Sequence, residues 1–182
     1  MNETRQIEIR AARPDDAPLI LHFIQAIAAY ESLTAEVRND EASIRRHLFA
    51  RGGSPAAECL LAFLAGGPAG YAVYFHNYST FTGRRGLYLE DLYVEPALRG
   101  HGVGRALLQR IAAIAVARGC ARMEWTVLDW NETAIRFYES LGARAMREWT
   151  LWRLAGEPLA GLAASAPRAG TEHQADREDG SD

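Results

Sequence analysis

Polar and apolar residues alternate through Gln6-Ile7-Glu8-Ile9-Arg10, the pattern of a strand with one face buried. The period then lengthens. Pro14, Asp15 and Asp16 make a helix start, and Leu19, Phe23, Ile24, Ile27 and Tyr30 recur at helical spacing, predicting a helix to about Tyr30-Glu31. A second helix is expected from Asn39-Asp40, with Ile44, His47 and Leu48 on its buried side, ending at Gly52-Gly53. Glu58 to Ala65 and Ala69 to Ser79 read as strands joined by a turn at Gly66-Gly67-Pro68. Leu87 to Val94 reads as the next strand, after a turn through Thr82 to Gly86. These three antiparallel strands precede a glycine-rich loop. Beyond it, Leu107, Leu108, Ile111, Ile114 and Ala115 mark one face of a helix that starts at Gly104 and stops at Gly119. Ala121 to Leu128 is expected as a strand parallel to the one before the loop, because strand, helix and strand in that order form a crossover unit. Asn131 to Leu141 reads as a helix closed by Gly142, and Ala145 to Leu154 as a last strand.

Composition narrows the picture. With 182 residues, 48% of them hydrophobic, the chain suits one folded domain over residues 1–162. From Ala163 to Asp182 there is no large apolar residue, so this stretch is expected to be a disordered acidic tail. Its five acids against two arginines account for the whole net charge of −3. The remainder is close to neutral, which argues against a general nucleic-acid surface. No apolar run is long enough for a membrane helix, and the charged start MNETRQIEIR is unlike a signal peptide, so a cytoplasmic location is expected. Cys59 and Cys120 have no metal-ligand spacing and read as small core residues; no metal is expected. All 20 basic residues are arginine, so neither a Walker lysine nor a Schiff-base lysine is available.

The candidate chemistry centres on Arg99-Gly100-His101-Gly102-Val103-Gly104, set between a strand and a helix. Glycines let a ligand approach the backbone. The first N–H groups of the helix lack intrahelical partners and point at an anion with the helix dipole behind them. A dinucleotide fold would carry its glycines after the first strand, with an acid about 20 residues on. Here they follow the fourth strand. What survives is a pyrophosphate cradle of backbone N–H groups, with Arg99 and Arg105 available to the same anion. His101 occupies the variable position of the loop and is expected to face solvent.

Arg99-x-x-Gly102-x-Gly104 after Leu92-Tyr93-Val94, followed by Asn131 and by Phe137-Tyr138, resembles the acetyl-CoA signature of the GNAT N-acetyltransferase superfamily. Within it, YLEDLYV, RGHGVG, WNETAIRFYESLGA and the AAYE at Ala28 to Glu31 look like the diamine (spermidine/spermine) and thialysine acetyltransferase branch. The resemblance implies an α/β GNAT fold: a mixed, mainly antiparallel sheet flanked by helices, with a V-shaped opening between the strand before the loop and the strand after its helix. It implies acetyl-CoA as co-substrate, held by the backbone of Leu92, Tyr93 and Val94, by the loop Arg99, Gly100, His101, Gly102, Val103, Gly104 and Arg105, and by Asn131. It also implies a homodimer. Glu139-Ser140 stand where relatives carry basic residues just after the tyrosine, which removes charge that could meet the cofactor phosphates.

By the same resemblance Tyr138 would protonate the departing thiolate. A phenol near pKa 10 and a thiol near 8.5 make that transfer close to balanced. The amine has the harder task. With a pKa near 10.4 it is free base in about one molecule in 2,500 at pH 7, equivalent to roughly 4.6 kcal/mol, so a carboxylate must both attract the cation and carry its proton away. The resemblance implies Glu90 as that base, acting through water, and Asp91 as a substrate-site acid; spacing alone leaves the two interchangeable. Glu31 and Glu148, with Tyr30 and Trp149 as aromatic walls, would complete an acidic pocket for an alkyl-ammonium chain. The expected activity is acetyl transfer to a primary amine of a small cationic molecule by direct attack. A protein or peptide acceptor, or an acyl-CoA-binding regulator without catalysis, stays open as an alternative.

Overall fold

The computed structural model describes residues 6–50 and 54–167. The chain divides into two units, Met1–Trp130 and Asn131–Asp182. The first holds a five-stranded sheet in the order β1-β2-β3-β4-β5: β1 (Ile7–Ala11), β2 (Glu58–Leu64), β3 (Gly67–Ser79), β4 (Arg84–Val94) and β5 (Met123–Glu124). All neighbours are antiparallel except β4 and β5, which run parallel as the crossover predicts.

Helix α1 (Ala17–Tyr30) follows a single 3-10 turn at Pro14–Asp16. That entry is fixed by Arg10, whose two guanidinium nitrogens donate to the two carboxylate oxygens of Asp16 at 2.7 and 2.8 Å. Helix α2 (Glu41–Leu48) is capped by Asp40, which accepts from the Ser43 N–H at 2.7 Å. It stops short of Gly52-Gly53, which lie outside the described residues. Ile44 is buried as expected, whereas His47 is exposed. Ala17, Ile20 and Phe23 of α1 and Ile44 of α2 form a core with Cys59, Leu61, Tyr71, Val73 and Tyr93. The alternate strand residues Leu60, Ala62 and Ala72 are also buried. Helix α3 (Val103–Ala117) packs across β1 to β4 and buries Val103, Leu107, Leu108, Ile111 and Ala115, so apolar layers lie on both sides of the sheet.

Three differences from the expected elements have physical causes. The β2–β3 turn sits at Ala65-Gly66, both with positive φ, rather than at Gly66-Gly67-Pro68, since a two-residue hairpin turn of this kind matches the twist of its strands. Strand β5 is two residues long, not eight: Met123 and Glu124 pair with Leu87 and Tyr88, and Thr126 to Trp130 are exposed. The strand expected over Ala145 to Leu154 does not form; these residues are exposed and make no ladder among the described residues. Among its described residues the second unit holds two helices, α4 (Glu132–Glu139) and α5 (Gly156–Ala164), and α5 runs into the stretch read as a tail. Residues 168–182 of that tail lie outside the described residues. No helix of the described residues is long and apolar enough to cross a membrane.

Gly70 on β3 lies directly against β4: a Cβ there would fall inside contact distance of the Tyr93 carbonyl oxygen. Gly70→Ala is expected to force the two strands apart and lower Tm by about 5–10 °C, an effect of order 2–3 kcal/mol. Gly67→Ala, where a Cβ meets only ordinary contact at 3.8 Å, serves as the control in the same thermal melts.

Candidate functional site

Strand β4 brings the acids and the loop into one continuous stretch. Its pairing with β3 runs Tyr71↔Tyr93, Ala72↔Leu92, Val73↔Asp91 and then Tyr74↔Leu89, so the register steps over Glu90. A bulge here re-aims the strand. Their surroundings differ: Glu90 is exposed, while Asp91 is half-buried on the face covered by α1. On its other edge β4 is joined to β5 only at Leu87 and Tyr88, so Leu89 to Val94 continue past the last β5 ladder pair. This is the opening expected between the two strands.

Asp91 accepts a hydrogen bond of 2.6 Å from the hydroxyl of Tyr71, a fully buried residue of β3. Burial pushes the Asp91 carboxyl above the usual aspartate range, and the Tyr71 bond pulls it partly back. Glu31, at the C-terminal end of α1, is raised too, first by burial and then by the charge of Asp91. The two acids from separate elements therefore share one region. Tyr30 adjoins it: its ring lies 5.7 Å from that of Trp130 and 4.6 Å from the Arg99 guanidinium.

Arg99 is held by aromatic rings and by backbone. Its guanidinium stacks over Tyr30 and, at 5.7 Å, Tyr93, and its Nε donates to the Val94 carbonyl at 3.0 Å. The side chain thus clamps the end of β4 to α1. His101 is exposed, with Nδ1 at 3.0 Å from the Arg99 carbonyl. Gly100 and Gly102 have positive φ, and Gly102 is the N-cap of α3 with no side-chain hydrogen bond to the first turn. A residue with a Cβ is strained in that conformation. The N–H groups of Val103, Gly104 and Arg105 thus open the helix without a side-chain cap, as a phosphate cradle requires. The donor set fits a pyrophosphate.

In the second unit, Asn131 is the N-cap of α4, its Oδ1 accepting from the Ala134 N–H at 3.2 Å. Tyr138 lies two turns on, half-buried, its ring 5.4 Å from Phe137. Glu148 and Trp149 stand in an exposed turn, Trp149 at 72% exposure. Within the first unit the fold therefore brings together Tyr30, Glu31, Asp91, Tyr93 and Arg99, and adds Tyr71 and Trp130. Tyr71 became visible only through register, because its link to Asp91 is a diagonal cross-strand contact. Among the described residues no group of three or more His, Cys, Asp or Glu is placed to hold a metal ion.

Residues 23–143 match the acetyltransferase (GNAT) family. The chain is 38% identical to a thialysine N-epsilon-acetyltransferase of Sus scrofa over 166 residues, 85% of this chain and 96% of the relative. It is 34% identical to a spermidine/spermine N(1)-acetyltransferase-like protein 1 of Homo sapiens, covering 86% of this chain and 24% of that one. Among solved structures, an integron cassette protein from V. cholerae superposes with a TM-score of 0.71 at 28% identity, covering 87% of this chain and 98% of that chain. Matching a strand that leads through left-handed glycines into an uncapped helix, these likenesses make the chain a member of the GNAT family, an acetyl-CoA-dependent N-acetyltransferase.

Proposed function

We propose that the chain transfers the acetyl group of acetyl-CoA to a primary amine of a small cationic molecule, a diamine, polyamine or lysine-like compound. The observation that carries this reading is the acid pair, Asp91 on β4 and Glu31 at the end of α1, near enough for one charge to shift the other. Two half-buried carboxylates in one region are costly unless a cation joins them, and an alkyl-ammonium with Tyr30 as aromatic wall meets that need. The names of the relatives, thialysine and spermidine/spermine acetyltransferases, point to the same class of acceptor.

In this reading the α3 N-terminus and the Gly100–Gly104 loop hold the cofactor pyrophosphate, with Arg105 beside it, and Leu92, Tyr93 and Val94 hold the pantetheine arm. Asp91 and Glu31 hold the substrate ammonium. Glu90, exposed at the bulge, takes the ammonium proton through water. The free amine attacks the thioester carbonyl and the C–N bond forms; the C–S bond breaks as Tyr138 gives its proton to the leaving sulfur, and the nitrogen sheds its surplus proton through water to the Tyr138 phenolate, leaving the neutral amide. Exposed Trp149 and Trp152, at 72% and 88%, are the apolar surface for a homodimer in this scheme, checked by light scattering of the purified chain.

A thiol-release screen against thialysine, ornithine, spermidine, aminoglycosides and peptides tests the acceptor; turnover of peptides alone overturns the small-amine reading. Tyr138→Phe is expected to lower kcat about 100-fold while the KM for acetyl-CoA stays unchanged. An unaltered kcat would remove Tyr138 from the mechanism. Asp91→Asn is expected to raise the amine KM and also to stabilise the fold. Because the folded state raises the Asp91 pKa, ionisation costs stability as pH climbs from the ordinary aspartate range through the raised value. The variant should therefore melt a few degrees above the parent at pH 7, with the gap closing below about pH 4.

A further inference from the structure

Tyr71 sits at 0% exposure in the middle of β3, where a phenylalanine would fill the same volume without a polar atom to satisfy. A buried hydroxyl is costly unless it is bonded. Its bond is to Oδ2 of Asp91, at 2.6 Å. The ring itself has little freedom: it stacks on Phe23 at 5.4 Å with an interplanar angle of 17°, and Phe23 is buried and packs also against Tyr93 at 6.2 Å. The hydroxyl is thus fixed by two rigid elements, β3 and α1, and it reaches diagonally across the ladder to the first residue beyond the bulge. The strand is least regular there, so the Asp91 side chain would otherwise have the most freedom.

We propose that Tyr71 is a positioning residue of the amine site, whose buried hydroxyl holds the Asp91 carboxylate in one orientation and leaves Oδ1 to meet the substrate ammonium. The inference rests on the reading that Asp91 contacts the amine. The groups that face Asp91 support it. Glu31 from α1 is an acid and repels the charge on Asp91. Cys59 from β2 is buried, its thiol pushed up by burial and by Asp91, and it stays neutral. Tyr71 is the group that favours the ionised form of Asp91 against burial. Its own ionisation is pushed far above the ordinary phenol range, so it remains a donor at every working pH. Without the hydroxyl the Asp91 carboxyl would titrate higher still, and the cation would meet a neutral acid over more of the pH range.

The test is steady-state thiol release from pH 5 to 9, with thialysine as the probe, or the amine of the panel with the highest kcat/KM. For Tyr71→Phe in the full chain, the amine KM is expected to rise about tenfold at pH 7. The acidic limb of kcat/KM should move up by about one unit, with the KM for acetyl-CoA unchanged. Phe23→Leu, which disturbs the stack and keeps the hydroxyl, should lower Tm and leave the limb in place. The proposal is overturned if the limb of Tyr71→Phe stays at the parent position, or if Phe23→Leu moves it as far. Asp91→Asn separates the two levels. An unchanged amine KM in that variant overturns the amine-site reading and this inference with it, whereas a raised KM beside a normal Tyr71→Phe profile overturns the role of Tyr71 alone.

Discussion

The structure of the first unit turns on the unequal pairing of one strand. β4 pairs with β3 from Arg84 to Val94 with one bulge at Glu90, but β5 meets it only at Leu87 and Tyr88. Backbone polar groups of a strand need partners, and a strand with one edge left open past its first residues is a template for an extended ligand. The remaining positions follow from this one. The bulge at Glu90 falls in the open half, Asp91 turns toward α1, and the chain leaves the strand at Val94 for the loop that starts α3. A ligand lying along β4 would meet the acids at one end and the uncapped helix at the other.

The acids are held there at a cost to stability. Asp91 and Glu31 are both shifted toward their neutral forms by burial, and the Asp91 charge adds to the shift of Glu31. Elsewhere the unit uses its charges conventionally: Arg10 forks onto Asp16, and Arg118 onto Glu58 with Tyr74 bonded to the same carboxylate. Both of those carboxyls are lowered by their partners. The contrast sets Asp91 apart, since its partner is a neutral hydroxyl rather than an arginine. Such a carboxylate keeps its capacity to bind an outside cation.

Arg99 illustrates how one side chain can serve the frame and the site together. Its guanidinium lies over the rings of Tyr30 and Tyr93, tying the end of α1 to the end of β4, while Nε is spent on the Val94 carbonyl. Spacing alone marked it as an anion ligand of the loop. The loop itself has left-handed glycines at Gly100 and Gly102 and leads into a first turn of α3 without a side-chain cap.

Local rules were enough for much of this protein. Alternation and helical spacing located β1 to β4 and α1 to α4, because each of these elements states its buried face within a few residues. Glycines needing positive φ marked the loop and the helix ends at Gly119 and Gly142 for the same reason. Pattern failed where an element depends on a distant partner. Trp125 to Leu128 and Ala145 to Leu154 have strand-like composition, yet a strand exists only where another backbone completes its ladder, and none does so there among the described residues. Helix α5 was missed because Leu159 and Leu162 mark no buried face and its alanines form a helix by propensity alone. The sequence by itself thus determined the order of elements from β1 to α4, the glycine loop and the family. Tertiary structure decided which of two adjacent acids is buried, that a core tyrosine bonds it, and that Glu31 lies near it. Those facts depend on a one-residue slip in the β3–β4 register and on the packing of α1, which no short stretch of sequence encodes.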